Sequence, residues 1–111
     1  MRGKLEIKKH AFMSFLSDRS LIAKGNIEKI EELVDIKPIE SASEVEITFC
    51  RFEGDQGLQL LQRSSAGLVF IPKSLSESAK KKDTIFISCK FPRLEMLRFL
   101  SMFWSENKLD E

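Results

Sequence analysis

The residue types in this chain that could do chemistry are few, and the most telling are rings. Phe49 closes the alternating run Glu44-Val45-Glu46-Ile47-Thr48-Phe49, and Phe52 follows across Cys50-Arg51. An aromatic at the carboxyl end of a strand stands where open α/β sheets tend to place ligands. Just beyond, Gly54-Asp55-Gln56-Gly57 resembles a glycine-bearing loop entering a helix, whose backbone N–H groups could hold an anion. It lacks the Lys-Ser/Thr ending of a phosphate loop, so a plain turn is the better reading.

The other reactive types are scattered. His10 is the single histidine and sits by a polar helix edge, with no nucleophile at a triad spacing. Cys50 and Cys89 are too few and too far apart for a disulfide scaffold or a four-ligand zinc site, and read as packed thiols. Glu28, Glu31, Glu32, Glu44 and Glu46 read as exposed faces, and Lys80-Lys81-Lys82 as a solvated loop. No catalytic residue, metal ligand or cofactor is expected. By itself the chain reads as a binding or docking module.

The elements that position these residues follow from periodicity. Lys8 to Ser17 places Phe12, Phe15 and Leu16 on one helical face, and Leu21-Ile22-Ala23 is a brief strand ending at the turn pair Gly25-Asn26. From Ile27 to Ile39 two tendencies compete. Glu28 to Leu33 favours helix by propensity, whereas Val34 and Ile36 alternate with polar residues before Pro38. The expectation is a strand over roughly Glu32–Lys37.

Glu44 to Phe49 is then a strand with one wet face, and Asp55 to Gln62 a helix with Asp55 as a candidate cap. Leu68 to Ile71 is apolar on both faces and should be a central strand; the unit 44–72 forms one crossover. After a polar connection, Thr84 to Cys89 is a further strand, and Pro92 opens a helix running to about Trp104. The fold class expected is α/β, a small mixed β-sheet flanked by helices.

That last helix is crowded. Its polar stripe is Glu95, Arg98, Ser101 and Ser105, while Leu94, Met96, Leu97, Phe99, Leu100, Met102, Phe103 and Trp104 fill most of the perimeter. A surface helix on a small domain usually shows an apolar stripe, not an apolar majority. Part of the 91–104 helix should therefore meet a further segment or another subunit.

At 111 residues the chain is one domain, 1–111, with a core of about 8–104 and a polar tail over 105–111. Eighteen basic residues balance seventeen acidic ones, so no bulk attraction to nucleic acid or anionic membrane is expected. No run approaches a membrane span, and Met1-Arg2-Gly3-Lys4 leads into charge, not an apolar signal region. A cytoplasmic location is the default expectation.

Four segments in order now carry a resemblance: Ile36-Lys37-Pro38-Ile39-Glu40-Ser41-Ala42, Glu46-Ile47-Thr48-Phe49, Ser65 to Pro72, and Phe91-Pro92-Arg93-Leu94. Together, over roughly residues 20–104, the chain resembles the N-terminal domain of UDP-3-O-acylglucosamine N-acyltransferase (LpxD), an enzyme family of lipid A biosynthesis. The resemblance implies a small α/β domain of the kind also found at the N-terminus of Mur ligases. It further implies a non-catalytic domain that binds a UDP-GlcNAc-type nucleotide sugar by stacking uracil on Phe49, with Phe52 and Asp55 beside it.

The family follows its Phe with Asn and then Tyr; here those positions are Phe52 and Asp55, and the chain has no Tyr. The family's hexapeptide-repeat β-helix, which supplies the catalytic His, has no counterpart here. The expectation is an excised domain or a free-standing relative. Acyl-carrier-protein-dependent acyl transfer would then belong only to a longer chain. The alternative is an interaction or oligomerisation module that kept the fold and lost the nucleotide site. A third reading, an enzyme assembled from scattered carboxylates, rests on composition alone.

Overall fold

The structure, a computed structural model, describes residues 4–105. Of the polar tail expected over 105–111, residues 106–111 lie outside the described residues, and Ser105 is instead the end of a short strand. The central element is a five-stranded mixed sheet in the order β2-β6-β5-β4-β3, comprising β2 (Ile22–Lys24), β3 (Asp35–Ile36), β4 (Glu46–Phe49), β5 (Leu68–Pro72) and β6 (Ile85–Cys89). Strands β3 to β6 run parallel, and β2 is antiparallel to β6. Residue pairs such as Phe49–Phe70 and Phe70–Ile87 fix the register.

Helices cover both faces: α1 (Lys9–Asp18) and α3 (Pro92–Phe103) on one, α2 (Gly54–Arg63) on the other. The chain is a small mixed α/β domain whose central sheet is flanked by helices. Its two apolar layers follow from strand alternation, because neighbouring residues point to opposite faces. Ile47, Leu68, Phe70, Ile85 and Ile87 pack against Phe12, Phe15, Leu16, Met96, Phe99 and Phe103. Val69, Ile71 and Phe86 pack against Leu61, with Leu75 and Ala79 closing the layer. Every residue of β5 is buried, as a strand covered on both sides requires.

Phe99 organises the larger layer. Its ring lies 5.3 Å from Phe15 and 5.6 Å from Phe70 in edge-to-face contact, and 4.6 Å from Phe103. Such pairs add about 0.5–1.5 kcal/mol each beyond their buried area. They tie α1, α3 and β5 into one unit.

Three expectations need correction. The strand placed over Glu32–Lys37 is only Asp35–Ile36, preceded by a 3-10 helix at Ile27–Glu32. Local propensity prevails there because Ile30 and Leu33 both reach the core in the helical form. Asp55 does not cap α2: the helix begins at Gly54, Glu53 holds the cap position, and no side chain bonds the first-turn N–H groups.

The stripe assigned to the last helix is the third. Glu95 is only 7% exposed and faces inward, and Ser105 lies outside the helix in β7 (Trp104–Ser105). Strand β7 pairs with β1 (Lys4–Leu5) in a two-stranded ribbon that the sequence did not suggest. No helix among the described residues is long and apolar enough to cross a membrane.

Candidate functional site

Because β3 to β6 are parallel, their carboxyl ends share one edge of the sheet. There the helices on opposite faces diverge, as at ligand crevices in open α/β sheets. A cleft of about 530 Å³ occupies this position. The end of β3 and the turn after it contribute Ile36 through Glu40, and the end of β4 contributes Thr48 through Phe52. Leu60 of α2 forms one wall, and Arg93 and Met96 of α3 form the other.

Each side chain has a local reason to be there. Phe49 is the last residue of β4, half-buried, and packs on the Phe99 layer from the strand's end. Backbone pairing runs one residue further, since Cys50 N–H donates to the Phe70 carbonyl at 2.8 Å. The chain then leaves the sheet and turns Phe52 onto the opposite layer beside Leu58 and Leu60. The Arg51 guanidinium lies 5.0 Å from the centre of the Phe52 ring, a cation–π arrangement that orders both side chains.

Close approach of α2 fixes this turn. A Cβ at Gly57 would stand 2.2 Å from the Phe52 carbonyl oxygen, so only glycine lets helix and turn meet.

The charge in the cleft is lopsided. Lys37, Arg51 and Arg93 line it against a single carboxylate, Glu40. Lys37 has a loose neighbour, with its Nζ 3.9 Å from Glu46 Oε2, while Arg93 makes no ion pair among the described residues. Arg93 is in the first turn of α3, where Pro92 occupies an opening position and no side chain caps the N-terminus. The helix dipole adds positive potential at the same place. The cleft can accept a flat apolar group near its two rings and an anion on its cationic rim.

Of the residues singled out from sequence, Phe49 and Phe52 both line this cleft and Asp55 does not. Asp55 is exposed in the first turn of α2. His10 is exposed on α1. Among the described residues, no group of three or more His, Cys, Asp or Glu side chains could hold a metal ion.

Sequence reading missed the cationic rim, because Lys37, Arg51 and Arg93 come from three distant segments that only the fold brings together. It also missed what Glu95 does. Its carboxylate takes two hydrogen bonds from Arg19, at 2.7 and 2.8 Å, and one from Arg98 at 2.9 Å. The Arg19 bonds, aided by its charge, hold the Glu95 carboxyl below its ordinary range against the opposing effect of burial. The pair locks the end of α1 to the α3 wall of the cleft.

Burial pushes the Cys50 thiol up, and pushes Cys89 up to about 12 with a smaller push from nearby Glu95. Both thiols are poor nucleophiles at neutral pH. No protein-family model matches the chain, and a search of curated proteins finds no match.

Proposed function

We propose that this domain binds a nucleotide sugar of the UDP-GlcNAc type in the cleft at the ends of β3 and β4, without catalysis of its own. The observation that carries this reading is the pairing of Phe49 and Phe52 with a rim of Lys37, Arg51 and Arg93 in one cleft. Stacking on an aromatic ring contributes about 1–3 kcal/mol per base in nucleic-acid sites. The resemblance to LpxD N-terminal domains, and through them to Mur ligase N-terminal domains, agrees with this placement of the ring.

Titration with UDP-N-acetylglucosamine tests it. Saturable binding that weakens in Phe49→Leu, a change that keeps apolar packing but removes the ring, is the expected result. No heat or chemical-shift response up to millimolar ligand would refute the proposal.

A second reading has its own observation. Phe91, Leu94, Leu97 and Met102 are 57%, 41%, 43% and 52% exposed along the outer side of α3. Leu94 and Leu97, three residues apart in α3, lie on the side away from Phe99, which supports docking of a further domain or subunit there. Sedimentation over a range of concentrations addresses self-association, and a strictly monomeric protein would remove that form of the reading.

A further inference from the structure

We infer that the open edge of β3 pairs antiparallel with the same edge of a second copy of this chain, joining two sheets across a twofold axis. This is independent of the nucleotide reading, and it gives the docking reading above an occupant and a register.

Among the described residues β3 ends the sheet order, and a terminal strand carries backbone groups on its outer side that pair with no strand. The Lys37 N–H donates to the Ile47 carbonyl at 3.2 Å, which turns the N–H of Ile36 away from β4. The Asp35 carboxylate folds back and accepts that outward N–H at 2.8 Å, in the place a neighbouring strand would take. The open stretch is bounded at both ends. Leu5 N–H already donates to the Val34 carbonyl, and Pro38 has no N–H to offer. Pairing is therefore confined to Asp35, Ile36 and Lys37.

These three residues complement themselves. In an antiparallel pair centred on Ile36, the two Ile36 residues exchange both backbone bonds. Asp35 then stands opposite the second copy's Lys37, and Lys37 opposite the second copy's Asp35, as a twofold interface requires. Opposite charges facing across a strand pair attract, and like charges repel. Within one chain these charges are poorly matched. Asp35 is the register partner of Glu46, which sets two carboxylates side by side, and Lys37 Nζ is 3.9 Å from Glu46 Oε2. The opposite edge of the sheet offers no such match: pairing β2 about Ala23 would set Ile22 against Lys24, whose ammonium is engaged by the Ser76 carbonyl.

Apolar surface lies beside the same edge. Ile36 shares a pocket of about 390 Å³ with Leu97, Leu100, Ser101 and Trp104 of the α3 side. A twofold axis through the Ile36 pair brings both pockets to one face of the joined sheet, with Leu97, 43% exposed, carried toward the junction from each copy. Burying this surface adds to two backbone bonds and two edge ion pairs, which are weak when exposed. Antiparallel pairing also sends the two clefts at the ends of β3 and β4 to opposite edges of the joined sheet.

Sedimentation equilibrium of the full chain, with charges exchanged at the edge, tests this. Wild type is expected to form a dimer with increasing concentration. Asp35→Lys and Lys37→Asp should each weaken it by about tenfold or more, since each sets like charges face to face twice. An equimolar mixture of the two variants should associate as tightly as wild type, because every facing pair is then opposite in sign; recovery in the mixture also shows that both variants fold. A monomer up to millimolar chain would overturn the inference together with the self-association form of the docking reading. A dimer that Leu97→Glu breaks and neither charge variant weakens would overturn the β3 register and leave docking through α3. Loss in both variants without recovery in the mixture would overturn the register as well.

Discussion

At the residue scale, buried polar and ionisable groups decide most of the testable behaviour. Glu95 is held low by Arg19, so its ion pair stabilises the fold above the ordinary carboxyl range and that contribution is lost as pH falls through the depressed value. Glu95→Gln should cost about 1–3 kcal/mol at neutral pH, discounted from a fully buried pair because Arg19 is partly exposed. Chemical denaturation at pH 7 and pH 3 checks this: the difference between wild type and variant should shrink in acid.

Cys89 runs the other way. Its folded thiol binds its proton more tightly than the unfolded one, so stability is intact below the ordinary value of 9.0 and falls as pH rises toward about 12. Both Cys50 and Cys89 should resist alkylation at pH 7 until the protein is denatured; rapid labelling of the native chain would contradict their burial. The sequence made both cysteines legible as packed thiols, since each ends an apolar run. It did not make Glu95 legible, because helical spacing alone grouped it with the exposed Arg98, and its partner Arg19 is 76 residues away.

At the element scale, α2 is positioned by two contacts with different sequence visibility. Lys81 donates to the Leu61 and Gln62 carbonyls at 3.2 and 3.1 Å, and also to Ser64, closing the carboxyl end of the helix. Lys81→Met should therefore cost about 0.5–1 kcal/mol, read from a thermal melt. At the other end, Gly57→Ala drives a Cβ against the Phe52 carbonyl and the Leu75 side chain, at 2.2 and 2.8 Å. A loss of about 1–3 kcal/mol is expected, together with displaced Phe52 and weaker ligand binding. A variant with unchanged melting and unchanged binding would show that α2 does not set the turn.

The strands β4, β5 and β6 were legible because alternation and continuous apolar runs each have one physical reading in a covered parallel sheet. Strand β3 was only partly so. Two residues of pairing, Asp35 with Glu46 and Ile36 with Ile47, leave little pattern for periodicity to detect. The lysine run at 80–82 gave no hint that its middle member caps a helix, since that role depends on where the 73–84 connection crosses α2.

At the scale of the whole molecule, one arrangement links fold and proposed function: four parallel strand ends on one edge, with helices on opposite faces parting above β3 and β4. The position of Phe49 at such an end was readable from sequence; the cleft around it was not, because its walls come from segments as far apart as Lys37 and Arg93. The outer stripe of α3 belongs to this scale too. Leu97→Glu should leave the melting temperature nearly unchanged because the side chain is already exposed. If the stripe docks a second copy, the same change abolishes concentration-dependent sedimentation.

The ring of Phe49 is proposed to hold a nucleotide in the cleft, and the decisive test is calorimetric titration of wild type and Phe49→Leu with UDP-N-acetylglucosamine. Saturable binding by wild type and a loss of about 1–3 kcal/mol in the variant, with the fold intact by circular dichroism, are expected. Equal affinity for the two proteins, or no binding by either, would contradict it.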